Sequence, residues 1–228
     1  MEKNQYELCI EVLRRLEKAG ILKEIILIGS WCMPFYEGYF AGNKYPSAIR
    51  TRDMDFLIPD PNKIRTPIDI PELLKDLGFV IGYSGEGGFI RLEHPELIVE
   101  FLSPEKGKGT DEPIQLPGLG VNAAPLRFLG LLTDNIMKVR VEDFDILMPH
   151  PVAFSLHKLI ISQYRSKGEK SIKDRNAAVG ILKALIEKGE TDLIKEIYSS
   201  LLPKWKKKVL KGLQETHEYE VILIFDEL

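Results

Sequence analysis

The spacing of apolar residues predicts an amphipathic helix at the start of the chain and short strands after it. Apolar positions recur every three or four residues over 3–19, and Gly20 follows as a stop signal. The uninterrupted, β-branched run Ile25–Ile28 indicates a buried strand. Polar and apolar residues alternate over Asp53–Ile58 until Pro59, which indicates a strand with one buried face.

The remaining pattern divides the chain into a mixed part and a helical part. The mixed part has a predicted short helix over 71–77 and predicted strands over 79–83, 89–93, 97–102, 114–116 and 136–141. The helical part has predicted helices over 151–166, 171–188, 191–200 and 203–213. We therefore expect an α+β (mixed α/β) fold in residues 1–148 and a helical C-terminal domain in residues 149–228.

Composition excludes several broad classes of protein. The 228 residues are 44% hydrophobic and 29% charged, which is ordinary for a globular protein and argues against disorder. A net charge of −3 removes the simplest argument for a dedicated nucleic-acid binder, although a local basic patch remains open. No apolar run reaches the length of a membrane span, and the polar start of the chain resembles no secretory signal.

The two cysteines point to a reducing compartment. Cys9 and Cys32 each lie inside an apolar segment. Two cysteines cannot build a disulfide-rich scaffold or a four-cysteine zinc site, so we expect free, buried thiols and a cytoplasmic protein. The histidines also lack the spacing of a zinc hydrolase, and His157, beside Lys158, is predicted to be structural.

Candidate chemistry begins with Asp53-Met54-Asp55. Residues two apart on a strand share a face, so both carboxylates converge while Met54 points the other way. Two close carboxylates repel unless a cation lies between them, and Mg²⁺ accepts one or two carboxylates together with phosphate oxygens. An ordinary acidic strand end is the alternative explanation for the pair.

Glu100 and the Gly29-Ser30 dipeptide add two further candidates. Glu100 has two apolar residues on each side, and a carboxylate there needs a cation, hydrogen bonds or water. If its strand lies beside that of Asp53 and Asp55, Glu100 would complete a three-carboxylate metal site; a solvent-exposed strand face is the alternative. Gly29 and Ser30 follow a buried strand and precede a helix expected to begin near Pro34, where a phosphate could approach the backbone; an ordinary turn is the alternative.

Together these residues resemble the nucleotidyltransferase superfamily, whose catalytic domain has the palm fold of DNA polymerase β. For residues 1–148 the resemblance implies such a palm, a mixed β-sheet flanked by helices. The resemblance is carried by Ile28–Ser30, Asp53–Phe56 and Val99–Phe101. The segment Arg50–Asp53 is similar to the one that precedes the aspartate pair in the branch of AbiEii-type toxins and minimal nucleotidyltransferases. The C-terminal run of Lys158, Arg165, Lys173 and Asp174 resembles the helices that follow the palm in that branch, so the resemblance covers about residues 21–180.

The resemblance implies a reaction and a set of metal ligands. The reaction is transfer of a nucleoside monophosphate from an NTP to an acceptor hydroxyl, with release of pyrophosphate and with Mg²⁺ or Mn²⁺ as cofactor. Asp53 and Asp55 would hold the metals, and Glu100 would hold the ion that activates the nucleophile. These three residues are therefore the predicted catalytic residues.

The resemblance also implies a nucleotide-binding set. Gly29 and Ser30 would hold the triphosphate, and Lys158 or Lys173 would neutralise phosphate charge; a solvated helix face is the alternative for the lysines. The interval between Ser30 and Asp53 holds 22 residues, which is longer than in the compact form of the motif. An insertion around Phe40–Ser47, predicted to be a loop, would account for the difference.

The acceptor and the role in the cell remain open at this point. A tRNA end or another nucleic acid, a protein side chain and a small aminoglycoside-like hydroxyl are all compatible with the sequence. A basic stretch, Lys204–Lys208 with Lys211, holds Trp205 and would suit a nucleic acid, or would be the solvated face of a helix. The alternative function is a catalytically weak nucleotide-binding relative, acting as a sensor or in toxin–antitoxin pairing. An interaction protein with incidental carboxylates is a third.

Overall fold

The chain forms two compact units in the computed structural model, which describes residues 3–45, 51–105, 112–165 and 168–226. The sheet unit comprises Met1–Phe35 and Ala48–Pro149. The helical unit comprises Tyr36–Ser47 and His150–Leu228. The predicted domain boundary between residues 148 and 149 stays a prediction.

The described residues up to Pro149 contain four α-helices and nine strands. The helices are α1 (Lys3–Lys18), α2 (Cys32–Tyr36), α3 (Ile70–Leu74) and α4 (Gly130–Asp134). The strands are β1 (Ile26–Ile28), β2 (Asp53–Leu57), β3 (Val80–Ser84), β4 (Phe89–Glu93), β5 (Ile98–Pro104), β6 (Ile114–Leu116), β7 (Val121–Leu126), β8 (Ile136–Val141) and β9 (Phe144–Pro149). The expected mixed α/β class is confirmed.

Strands β1 to β7 form a mixed sheet in the described part of the chain. Its main path has the order β1-β2-β5-β4-β3, and β7 pairs with β5 and with β6. Strand β2 runs parallel to β5, whereas β1 is antiparallel to β2 and β4 is antiparallel to β5. Strands β8 and β9 form a separate hairpin. The parallel β2–β5 pair lies at the middle of the main path, which makes it the structural centre of the sheet.

The two faces of β2 have different surroundings. Met54 and Phe56 are fully buried, and the Phe56 ring stacks on Phe101 of β5 with centroids 5.8 Å apart. On the other face, Leu57 joins an apolar cluster with Leu102 and with Ile26, Ile28, Leu129, Leu132 and Leu147. That second face is therefore apolar at the end of β2 and polar only where Asp53 and Asp55 interrupt it.

Most of the predicted elements are present, and the differences have local causes. Helix α2 begins at Cys32, before Pro34, because the first turn of a helix needs no intrahelical acceptor for its N–H groups and therefore tolerates proline. Strand β7 was not predicted, since Pro125 and neighbouring glycines mask its pattern. Strand β9 and helix α9 were also missed.

The helical unit is built from α5 to α9. These helices are α5 (Pro151–Ser162), α6 (Glu169–Glu187), α7 (Thr191–Ser200), α8 (Pro203–Gln214) and α9 (Tyr219–Asp226). Nearly every residue of α5 is buried, which makes it the central helix of the unit. In the segment around Tyr39, which belongs to the same unit, the hydroxyl of Tyr39 donates a hydrogen bond to Glu190 and lies 3.0 Å from Nε2 of His150.

Two expectations from composition can be compared with the structure. Cys9 and Cys32 are buried thiols that form no disulfide among the described residues, as predicted. Among the described residues, no helix combines the length and the apolar character that a membrane-spanning segment requires.

The buried position of His157 generates a prediction about acid stability. Burial, with the nearby charges of Lys158 and Arg165, lowers the pKa of His157 from 6.5 to about 3. Between these values the unfolded chain binds a proton that the folded chain does not, so stability falls as the pH falls. Its ring Nε2 has no hydrogen-bond partner among the described residues, so an apolar substitute is tolerable. In urea unfolding, we expect His157→Leu to remove about 2 kcal/mol of the wild-type loss between pH 7 and pH 5. Parallel pH profiles for the two proteins would contradict this assignment.

Candidate active site

The site begins on β2, where two aspartates share one face of the strand. Asp53 and Asp55 are partly exposed, whereas Met54 between them is fully buried. The alternation follows from the two-residue repeat of a strand, because the apolar side chains must face the core. The two carboxylates therefore project to the same side, as the sequence predicted.

Strand β5 brings Glu100 to the same face. The register of the parallel pair places Asp55 opposite Glu100, and Phe56 opposite Phe101. Residues opposite each other in a sheet project to one face, so Glu100 lies beside Asp55. The same row continues to Arg91 of β4 and Gly82 of β3, and on the other side to Ile28 of β1. The strand of Glu100 thus lies beside the strand of Asp53 and Asp55, which is the arrangement that a role for Glu100 requires.

The turn after β1 approaches the aspartates closely. Gly29 has a φ of +72°, a left-handed conformation that favours glycine. A Cβ added to Gly29 would overlap the Oδ2 atom of Asp55, so only glycine lets the backbone lie against this carboxylate. Ser30 follows in the same 3-10 turn and is partly exposed. The turn and the aspartates therefore form one group.

Glu100 has a partner that the sequence analysis did not identify. Its Oε1 lies 3.0 Å from Nε of Arg91, and both side chains are about a quarter exposed, at 28% and 25%. The alternation of Phe89–Glu93 could have revealed this residue, since it puts Arg91 on the open face of β4. The pairing of Arg91 with Glu100 could not be predicted, because the sequence does not show that β4 lies next to β5.

The fit of a divalent metal to this site is partial. Carboxylate oxygens are the ligands that Mg²⁺ prefers, and one or two of them suffice when substrate phosphates complete the shell. Asp53 and Asp55 meet that requirement. Within the described residues, no three side chains of histidine, cysteine, aspartate or glutamate converge on a common ion position. Glu100, the predicted third ligand, is instead ion-paired with Arg91.

Comparison with known proteins identifies the family. A family model described as "Nucleotidyltransferase" matches residues 7–203, which is most of the chain. The chain belongs to this nucleotidyltransferase family. No curated protein matches the enzyme. Membership supports transfer of a nucleoside monophosphate in general, and thus an NTP and an acceptor as substrates.

One solved structure shares this fold at low sequence identity, and a second is similar at a lower TM-score. The crystal structure of ANT(2'')-Ia in complex with adenylyl-2''-tobramycin is 11% identical, with a TM-score of 0.50 over 86% of this chain and 98% of that chain. A nucleotidyltransferase-like antigenic protein from Paracoccidioides brasiliensis is 16% identical, with a TM-score of 0.44 over 78% and 76% of the two chains. Likeness at this identity concerns the fold alone.

The two lysines predicted to bind nucleotide lie in the helical unit of the enzyme, and each has an acidic partner there. Nζ of Lys158 donates a 2.8 Å hydrogen bond to Asp174, and both side chains are more than 90% buried. Arg165 also lies 2.8 Å from Asp174. Lys173 pairs with Glu169 at 2.6 Å on an exposed helix surface. These contacts give Lys158 a stabilising role in the helical unit.

The close approach of Gly29 to Asp55 can be tested by comparison with Gly20. Both glycines have left-handed backbones, but a Cβ at Gly20 would meet nothing within 4 Å. We expect Gly20→Ala to cost about 1 kcal/mol of unfolding free energy, and Gly29→Ala to cost clearly more because it also displaces the Asp55 carboxylate. Adding Asp55→Ala should bring the Gly29→Ala cost down to the Gly20 value. Equal costs for both glycines in the wild-type background would contradict the contact.

The buried ion pair of the helical unit makes a second prediction, with a matched control. Asp174→Asn leaves the ammonium of Lys158 buried without its carboxylate, and we expect a loss of about 3 kcal/mol in denaturant unfolding. Glu169→Gln makes the same chemical change at the exposed pair with Lys173, where the effect should be hardly measurable. Equal losses in the two variants would contradict a stabilising role for Asp174.

Proposed function

We propose that the enzyme transfers a nucleoside monophosphate from an NTP to an acceptor hydroxyl in a reaction that depends on Mg²⁺ or Mn²⁺, and that it releases pyrophosphate. The observation that carries this proposal is the register of β2 and β5, which puts Asp53, Asp55 and Glu100 on one face of the sheet. Phosphoryl transfer needs concentrated negative charge that can hold a cation at the triphosphate.

In this proposal Asp53 and Asp55 hold the cation, and Glu100 joins them in the catalytic set. A bound divalent ion supplies charge neutralisation to the triphosphate and favours ionisation of the acceptor hydroxyl. The backbone of Gly29 lies close to the Asp55 carboxylate, which limits the positions that the carboxylate can take on that side. The apolar cluster around Leu57 and Leu102 limits the polar site on one side.

Gly29 and Ser30 are proposed to contact the triphosphate. Helix α2 behind them has only five residues, so the contribution comes from the turn and the Ser30 hydroxyl rather than from a helix dipole. Lys158 and Lys173 stay predictions as phosphate-binding residues. Their pairing with Asp174 and Glu169 offers each lysine another role.

We propose a nucleic acid such as tRNA as the acceptor. Helix α8 supports this choice because it carries Lys204, Lys206, Lys207, Lys208 and Lys211 and has no acidic residue from Pro203 to Gln214. Lys208 lies 4.0 Å above the exposed ring of Tyr164, and a cation beside an aromatic surface suits a phosphate next to a base.

The finer family assignment also belongs to this proposal. The likeness to AbiEii-type and minimal nucleotidyltransferases includes Arg50, which lies outside the described residues, and it rests on the sequence alone. A cytoplasmic location is proposed because Cys9 and Cys32 are thiols that form no disulfide among the described residues, and thiols persist in a reducing compartment.

The nucleotide site is tested by thermal unfolding with each of the four NTPs, with and without Mg²⁺ or Mn²⁺. A ligand at about 100 times its Kd adds about 2.7 kcal/mol of apparent stability, so a metal-dependent rise in Tm is expected for the wild type. Asp55→Asn should abolish it. Asp143→Asn, which removes the same charge from the exposed turn between β8 and β9, should keep it.

The same proteins, incubated with α-labelled NTP and small RNA, report on the chemistry. Label in RNA together with free pyrophosphate is the expected result, and it should disappear in Asp55→Asn. Binding without label in RNA, protein or a small hydroxyl compound would favour the alternative of a catalytically weak nucleotide sensor. The absence of any NTP-dependent shift would overturn the proposal.

A further inference from the structure

We propose that Arg91 competes with the metal ion for Glu100, and that Glu93 receives the guanidinium of Arg91 when a metal takes Glu100. The inference rests on the proposed function, since it concerns the same carboxylates. Arg91 is then a positioning residue, which holds the third carboxylate away from its ligand role until a divalent cation arrives.

Arg91 contacts Glu100 by charge attraction more than by an aligned hydrogen bond. Register places Arg91 directly opposite Glu100, and the 3.0 Å distance joins Nε to Oε1. Nε nevertheless makes no hydrogen bond to a described residue, so the N–H is not aimed at the carboxylate. The strongest arginine–carboxylate pairs use two parallel hydrogen bonds, and this contact lacks that geometry at Nε. Charge attraction thus dominates the contact, and a second cation can displace it.

Glu93 is a second carboxylate close to Arg91. It lies two residues after Arg91 on β4, on the same face, and its Oε1 is 4.0 Å from Nε of Arg91. Gly82 lies opposite Arg91 on β3, and a Cβ there would come within 2.6 Å of the Glu93 carboxylate. Glycine at position 82 therefore leaves room for the Glu93 carboxylate beside Arg91. The guanidinium lies between two acids and can move from one to the other.

The charges on this face of the sheet favour the exchange when a metal ion binds. When no metal ion is bound, Asp53, Asp55 and Glu100 place three negative charges near one another, and the positive charge of Arg91 offsets part of their repulsion. A divalent ion at the aspartates attracts Glu100 and repels the guanidinium. The Glu93 carboxylate lies beside the backbone of Gly82 on β3, on the side of β4 away from β5 and β2, so a guanidinium that moves toward it moves away from the aspartates. The exchange accounts for a predicted metal ligand that is paired with an arginine.

The test is a titration of the full chain with Mn²⁺ alone, in which free Mn²⁺ is measured by electron paramagnetic resonance. Arg91→Gln removes the competitor, so we expect Mn²⁺ to bind at least about three-fold more tightly than to the wild type. Arg91→Lys keeps the charge and should stay within two-fold of the wild type. Glu93→Gln leaves Arg91 with Glu100 alone and should weaken Mn²⁺ binding.

Arg140→Gln is the control for the loss of a positive charge, because Arg140 lies on β8 and pairs with Asp145. It should leave the affinity for Mn²⁺ unchanged. A gain in affinity cannot come from a damaged fold, so tighter binding by Arg91→Gln alone supports the exchange. Unchanged or weaker binding by Arg91→Gln, with binding abolished in Asp55→Asn, would overturn the inference and leave the proposed function intact. Wild-type Mn²⁺ binding that survives Asp55→Asn, or no binding to any of the proteins, would overturn both.

Discussion

The parallel register between β2 and β5 is the constraint on which the site depends. It places Asp55 opposite Glu100 on the open face and Phe56 opposite Phe101 in the core. A slip of one residue would exchange the two faces of a strand, bury a carboxylate and expose an aromatic ring. The burial of the phenylalanines therefore fixes the alignment of the acids. Core packing and candidate chemistry are two results of one register.

The same row of residues sets the electrostatics of the face. Asp55, Glu100 and Arg91 lie in sequence across β2, β5 and β4, and Gly29 closes the row by bringing the backbone of the β1 turn against Asp55. A face with this arrangement holds acids that are partly balanced by an internal cation. The charges on this face are therefore partly balanced before a metal ion binds, and Asp53 and Asp55 lie on the face that the ion would approach. The chain belongs to the nucleotidyltransferase family, and the metal-binding role proposed for these acids is compatible with that membership.

Local patterns in the sequence were sufficient to predict most helices and strands and to single out Asp53, Asp55 and Glu100. They did not predict which residues these acids contact. The alternation around Asp53 and the apolar flanks of Glu100 express burial that each strand must satisfy by itself. The pairing of Glu100 with Arg91 depends on strand order, which is set by contacts between distant residues. Lys158 illustrates the same limit: on a helix it is typical of a surface residue, whereas the fold buries it beside Asp174. Strand β7 was not predicted because it contains Pro125 and follows glycines, and these residues indicate a turn more strongly than the short apolar run indicates a strand.

The central claim is that the carboxylates of β2 and β5 hold a divalent cation, and paramagnetic broadening by Mn²⁺ tests it most directly. In the ¹⁵N-labelled protein, amide signals of Ser30, Asp55 and Glu100 should broaden first as Mn²⁺ is added in small amounts. The double variant Asp53→Asn/Asp55→Asn should lose this broadening at the same Mn²⁺ concentrations. Broadening centred elsewhere in the sequence, or unchanged in the double variant, would contradict the assignment of the metal to this face of the sheet.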